Sequence, residues 1–252
     1  MRTRAIVTGA NGGIGQAIAE RLAREGMRVL LVARNEGSLS LVRNAILEKG
    51  GQAEIYPADL VVRDAAVRVA RKARDLWGGL DVLVNCASAT MNADVFSFTD
   101  DEWLRAFEVK VFGATRLARE TWPMLRESGG SLINICGIGA RTPGAEGAMT
   151  GALSAALGAI TKALADRGVA HGVQVNAINP GLIQTPRIER AWMSGDDNDA
   201  EAALHRKIRE MRATRVGRPE DVANLVAYIV SGAGEFLQGA IIDLDGGATK
   251  AL

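Results

Sequence analysis

Cysteine, histidine, aromatic side chains and net charge are all scarce in this chain of 252 residues. Two cysteines, Cys86 and Cys136, cannot make a disulfide framework, and they read as buried, inert thiols rather than redox or nucleophilic groups. The two histidines, His171 and His205, join no metal-ligand spacing, so no metal is expected. No Ser-His-Asp order and no paired carboxylates appear at useful spacing, which leaves hydrolase readings without support. Lys+Arg 30 against Asp+Glu 29 gives a net charge of +1, so there is no general electrostatic attraction toward nucleic acid or an anionic membrane. No apolar run approaches the ~20 residues of a membrane span. The N-terminal residues enter a strand at once, leaving no room for a signal peptide, and a cytoplasmic location is the expectation.

What is abundant is glycine, 29 residues, within a chain that is 48% hydrophobic. That combination suits tightly packed strands and helices with small side chains at their contacts. Short apolar runs alternate with longer amphipathic stretches. The pattern predicts strands at 5–8, 28–33, 53–56, 82–85, 131–135, 173–178 and 240–244, and helices at 13–25, 39–49, 64–77, 100–126, 147–169 and 219–230. Alternation of this kind implies right-handed crossovers: an α/β fold, a Rossmann-like doubly wound parallel sheet with helices on both faces. Residues 1–252 read as a single domain. The one irregular stretch, about 182–214, is expected to be a mobile lid. It carries Ile183, Ile188, Trp192 and Met193, which suit an apolar pocket, and Arg187 and Arg190, which suit an anionic group. His205, also in this stretch, is a weak candidate for closing over the site.

Thr8-Gly9-Ala10-Asn11-Gly12-Gly13-Ile14-Gly15 follows the first strand and opens the first helix. Glycines belong where backbone must approach a pyrophosphate closely, and a helix N-terminus adds N–H donors and a favourable dipole. The second strand ends Val32-Ala33-Arg34-Asn35, with no acidic residue to hold a ribose 2′-hydroxyl. The Arg34 fork can instead pair with a 2′-phosphate, which favours NADP(H) over NAD(H); the alternative is a solvated surface arginine.

With these residues the chain resembles the short-chain dehydrogenase/reductase family over nearly its full length. Asp59-Leu60 stands where that family binds adenine. Asn85-Cys86-Ala87-Ser88 stands where it has Asn-Asn-Ala-Gly. Asn179-Pro180-Gly181, followed by Ile183 and Thr185, matches the turn that places the nicotinamide. Arg218-Pro219-Glu220-Asp221-Val222-Ala223 and Asp245-Gly246-Gly247 match C-terminal signatures. The resemblance therefore implies cofactor contacts from Gly9, Asn11, Gly13, Ile14, Gly15, Arg34, Asp59, Leu60, Asn85, Ala87, Pro180, Gly181, Ile183 and Thr185.

The same alignment puts unusual residues at the catalytic positions. Gly137 takes the place of the family's Ser, Thr150 of its Tyr, Ser154 of its Lys, and Lys110 of its Asn. A Thr hydroxyl is a poor acid near neutral pH and shorter than a phenol. General acid–base catalysis contributes ~10²–10⁴ in rate and an oxyanion donor ~10²–10³, so ordinary family chemistry is expected to be severely weakened. Lys110 is the candidate for a rebuilt site, with its ammonium filling the space that Ser154 leaves; the other reading is a lysine whose head reaches solvent or an acid. Ser88 could bond cofactor or substrate, or simply satisfy backbone. Arg141 and Glu146 flank a loop that borders the substrate in this family, as specificity residues or solvated charges. His171 reads as a surface residue in a turn.

Two functions follow. One is an NADP(H)-linked oxidoreductase on a carbonyl/alcohol pair, using Lys110, Thr150 and Ser154. The other is a non-redox member: a cyclase, isomerase or dehydratase, or a catalytically inactive nucleotide-binding subunit. Either takes a small, partly apolar ligand. The small residues Ala152, Ala155, Ala156, Gly158 and Ala159, with the helix-packing interface the resemblance implies, predict a homotetramer, or failing that a homodimer.

Overall fold

The computed structural model describes residues 2–89, 91–186, 188 and 213–250. Most of the stretch expected to form a lid, including Arg187, Arg190, Trp192, Met193 and His205, lies outside the described residues.

Seven strands form one sheet: β1 (Arg4–Thr8), β2 (Arg28–Ala33), β3 (Gln52–Pro57), β4 (Val82–Asn85), β5 (Ser131–Ile135), β6 (Gln174–Pro180) and β7 (Ile241–Leu244). Their order is β3-β2-β1-β4-β5-β6-β7 and every pair is parallel. β4, β5 and β6 are buried along their whole length, as strands covered by helices on both faces must be. β4 is an apolar run up to Asn85, whereas β5 and β6 also bury Ser131, Asn134, Gln174, Asn176 and Asn179, each with a hydrogen-bond partner. The edge strands β3 and β7 are only partly covered.

One face carries α1 (Gly13–Arg24), α2 (Glu36–Glu48) and α7 (Pro219–Val230), packed on Val7, Leu31, Val84, Ile133 and Ile178. The other carries α3 (Ala65–Trp77), α5 (Gly113–Ser128) and α6 (Ala148–His171). Local chemistry sets the helix ends. Asn35 caps α2 through its side-chain oxygen, 2.8 Å from the Ser38 N–H. Thr99 and Glu102 form a capping box at the start of α4 (Asp100–Phe107), whose first turn is acidic. Gly78, Gly129 and Gly172 end α3, α5 and α6 in the left-handed conformation.

Three expectations need correction. The single helix expected over 100–126 is two helices, α4 and α5, joined by a π turn at Glu108–Phe112, with the Gly113 N–H reaching the Glu108 carbonyl. Each residue advances a helix by about 100°, so one extra residue re-aims everything that follows; a periodicity count cannot register it. His171 is not in a turn on the surface. It is the last residue of α6 and half-buried, with Nδ1 accepting the Trp122 indole N–H at 2.8 Å. Finally, the stretch Ala145–His171 is long and apolar enough to cross a membrane by length and composition. Its alanines and glycines create that average, and its Leu153, Ser154, Leu157 and Thr161 face lies buried in the fold.

Candidate active site

The sheet order reverses direction between β1 and β4, and a crevice opens at the carboxyl ends of these strands. Its cavity, about 420 Å³, is lined by Gly9, Asn11, Arg34, Asp59, Leu60 and Ala87, together with neighbouring residues that include Ser88 and Val109. Six residues expected to meet a nucleotide thus share one wall. The Thr8 hydroxyl ties the two strand ends together by accepting from the Cys86 and Ala87 N–H groups at 2.9 and 3.1 Å.

The glycine turn is shaped by close approach. Gly9 has φ +66°, and a Cβ there would meet Ala87 Cα and the Cys86 carbonyl at 3.0 Å. A Cβ on Gly15 would collide with the Gly9 carbonyl, so α1 can cross this turn only with glycine there. Gly12, at the N-cap of α1, faces open space and carries no side-chain cap; the first turn of α1 holds no acidic residue. Room, N–H donors and dipole therefore coincide, which fits a pyrophosphate.

The remaining cofactor candidates are more dispersed. Thr185 lies against the turn, since a Cβ on Gly13 would sit 3.2 Å from its methyl. Ile14, in the first turn of α1, is partly buried against the core. Ile183 is buried and lines a separate cavity of about 260 Å³ with Leu182, Gly217 and Asp245. Pro180 closes β6, and Gly181 lies so near Asp245 that a Cβ would approach it to 2.7 Å. Asn85 is internal: its amide donates to Asn134 Oδ1 at 2.9 Å and to the Ala114 carbonyl at 3.4 Å. Asn134 passes the chain on to Thr161 at 2.9 Å. These bonds knit β4 and β5 to α5 and α6.

The four residues at the unusual positions converge. Lys110, on the π turn, is 3% exposed, so its head does not reach solvent. Its Nζ donates to the Cys136 carbonyl at 2.8 Å and to Ser154 Oγ at 3.0 Å. Ser154 itself is fully buried. A Cβ on Gly137 would stand 3.2 Å from Ser154 Oγ and 3.8 Å from the Thr150 methyl. The Thr150 hydroxyl points elsewhere, donating to Asn92 Oδ1 at 3.2 Å. Thr150 thus shows its methyl to Gly137 and its hydroxyl to the segment after β4. That segment is held in place by the Ala93 N–H, which donates to the Glu146 carbonyl at 3.0 Å.

The cysteines do not pair. Cys86 packs with the core on the α1 face, while Cys136 packs with Ala114, Leu157 and Ala177 near α6. Burial pushes the Cys86 thiol up to about 12 and the Cys136 thiol up to about 11, against the opposing pull of the Lys110 charge. Both stay protonated at neutral pH and are poor nucleophiles.

Sequence reasoning missed three participants. Asn92 anchors Thr150; Asn179 Oδ1 accepts from the Gly137 N–H at 3.4 Å; and Asp243 accepts from Asn179 Nδ2 at 2.7 Å. Only Asn179 had a signal, its place in the Asn-Pro-Gly turn. The others are joined by tertiary contact alone.

Sheet order, crevice and glycine turn define a Rossmann-like protein of the doubly wound class, whose ligand crevice lies outside the carboxyl ends of the strands at the switch point. Within that class the chain belongs to the short-chain dehydrogenase/reductase family. A family profile described as Enoyl-(Acyl carrier protein) reductase matches residues 9–249. The chain is 34% identical over 245 residues to the short-chain reductase protein NovJ of Streptomyces niveus, covering 96% of this chain and 92% of that protein. Among solved structures it is similar to L-sorbose reductase from Gluconobacter frateurii complexed with NADPH and L-sorbose. There the TM-score is 0.94 with 31% identity, covering 100% and 98% of the two chains. It is also similar to a 3-oxoacyl (acyl-carrier-protein) reductase from Agrobacterium tumefaciens C58 with NADP bound, with a TM-score of 0.89, 27% identity, and 97% and 93% covered.

Proposed function

We propose that this protein binds NADP(H) in the switch-point crevice but does not run the family's ordinary proton relay. Arg34, at the rim of the crevice, would take the ribose 2′-phosphate, Asp59 and Leu60 the adenine, and the turn around Gly12 the pyrophosphate. The NADPH and NADP carried by the similar structures support that choice. A bound NADPH would supply hydride, and the protein would still have to supply a proton at the substrate oxygen.

The observation that carries the reading is where the polar groups of the replaced set point. The Thr150 hydroxyl is committed to Asn92, Gly137 offers no side-chain donor, and the Lys110 ammonium is held by Cys136 and Ser154. No phenol stands on α6 at Thr150, and its hydroxyl is turned away from Gly137. A non-redox member, or a nucleotide-binding subunit without catalysis, fits this arrangement best.

One observation favours a second reading. The buried Lys110 ammonium lies within hydrogen-bond reach of Ser154, so a cation is present where the family's Lys position falls. A rebuilt oxidoreductase would use it to hold the nicotinamide ribose or to polarise a carbonyl.

NADPH titration followed by turnover with simple ketones separates the two. Binding with negligible oxidation of NADPH supports the first. Robust turnover that survives Thr150→Ala with Ser154→Ala, and is lost in Lys110→Ala, establishes the second.

For assembly we propose a homotetramer, with a homodimer as the smaller alternative. Leu104 and Phe112 are exposed, and so are Ala152, Ala155 and Ala159 on α6. These form an apolar face with small residues where a second copy's helices can approach closely. Light scattering at micromolar concentration decides between these assemblies and a monomer.

A further inference from the structure

We infer that Arg141 is the residue that recognises an oxyanion on the ligand, a carboxylate in the first instance, with Asp243 and Asn179 as its mount. The location of the ligand rests on the functional reading above. The geometry of the arginine does not.

Gly137, Asn179 and Asp243 stand at the carboxyl ends of β5, β6 and β7, the edge of the sheet where ligands of such folds bind. A short 3₁₀ turn, Ile138–Ala140, leads away from Gly137 and fixes the Arg141 backbone, whose N–H donates to the Ile138 carbonyl at 2.9 Å. The guanidinium then folds back onto the sheet edge. Its Nε lies 3.2 Å from Asp243 Oδ2. Asp243 is itself restrained by the Asn179 amide, and Asn179 accepts from the Gly137 N–H. Arg141 is thus tied through two side chains to the backbone at the centre of the candidate site.

Only the Nε edge is used. Among the described residues Nη1 and Nη2 have no partner, and the side chain is 37% exposed. A guanidinium held by a carboxylate on one edge keeps the planar two-nitrogen edge that matches a carboxylate or phosphate in bidentate fashion. Because the mount restricts rotation, less side-chain freedom is lost on binding. A lysine would share the three hydrogens of one nitrogen between Asp243 and the ligand and has no planar two-nitrogen edge to offer.

The test uses NADPH-saturated protein and a matched pair of probes, acetoacetate and its methyl ester, titrated by ligand-observed NMR. NADPH binding is followed separately through nucleotide fluorescence. The acid is expected to bind about tenfold tighter than the ester, as a charge-assisted bidentate contact would give. Arg141→Gln should erase the difference while leaving nucleotide affinity and thermal midpoint unchanged, and Arg141→Lys should restore only part of it. Competition by inorganic phosphate tells whether the edge takes any oxyanion or carboxylates alone. Equal binding of acid and ester, no binding of the acid, or a preference that survives Arg141→Gln overturns the inference. Failure of NADPH to bind wild-type protein overturns the functional reading instead, and is seen in the separate signal.

Discussion

Restoring the family's catalytic pair on α6 should fail unless Lys110 is removed at the same time. Positions 150 and 154 are one helical turn apart, so Thr150→Tyr with Ser154→Lys places a phenol and an ammonium on one face. But Ser154 Oγ lies 3.0 Å from Lys110 Nζ, in a fully buried site. A lysine at 154 brings a second ammonium close to the first. Two unit charges about 4 Å apart at an effective dielectric of about 20 repel by ~4 kcal/mol. The fold would lose stability of that order, or one amine would hold its proton roughly a thousandfold less tightly. The double variant should therefore show a clearly lowered urea midpoint and no gain in ketone reduction. Adding Lys110→Asn removes the repulsion and should return stability to near wild type, with NADPH-dependent reduction of a simple ketone rising about a hundredfold over wild type, within the range that general acid catalysis supplies. Gly137→Ser in that background has room only if the group at 154 moves, because its Cβ stands 3.2 Å from the present Ser154 Oγ. Urea unfolding and NADPH consumption, measured on all four combinations of the helix pair and Lys110→Asn, give the coupling directly. A double variant as stable as wild type, with Lys110→Asn adding nothing, would refute the reasoning.

NADPH should bind roughly tenfold or more tightly than NADH, and Arg34→Ala should bring the two together in calorimetry, because a bidentate arginine–phosphate contact is lost. Asp81 accepts the Thr3 and Arg4 N–H groups and, in bidentate fashion, Nε and Nη2 of the Arg4 guanidinium at 2.7–2.9 Å. Burial pushes its carboxyl up, but these donors outweigh it and hold it below the usual range. Asp81→Asn should cost about 1–3 kcal/mol by urea unfolding. The wild-type contribution is present above the ordinary carboxylate value and is lost as pH falls through the depressed one. His171 Nδ1 must be unprotonated to accept from Trp122; burial and then Arg167 and Arg126 lower its proton affinity. Its stabilisation is therefore full above the ordinary histidine value of about 6.5 and declines as pH falls below it. Tryptophan fluorescence and thermal midpoint between pH 8 and 5 should show this, and His171→Leu should flatten it.

The sequence by itself determined the sheet, the crevice and the family. Strands such as 28–33, 82–85 and 131–135 were readable because each is built on a short apolar run, Val29–Val32, Val82–Val84 and Leu132–Ile133, of the kind that strands covered on both faces carry. The glycine turn was readable because Gly9 and Gly15 admit no side chain, so the backbone constraint is written directly in residue identity. The odd residues at 110, 137, 150 and 154 could also be located, since a helix continuing without a gap fixes their register. What they do was decided only in three dimensions. Whether Lys110 reaches solvent or turns inward is decided by partners 26 and 44 residues away, the Cys136 carbonyl and Ser154, reached from a π turn that a periodicity count does not register. Whether the Thr150 hydroxyl faces Gly137 or Asn92 is a rotamer choice, set by a partner 58 residues away. The chain from Arg141 through Asp243 and Asn179 to Gly137 joins the ends of three strands that are distant in sequence and adjacent only in the sheet. Local propensity acts over a few residues, whereas hydrogen bonds between strand ends and helix faces exist only after the sheet has ordered them in space.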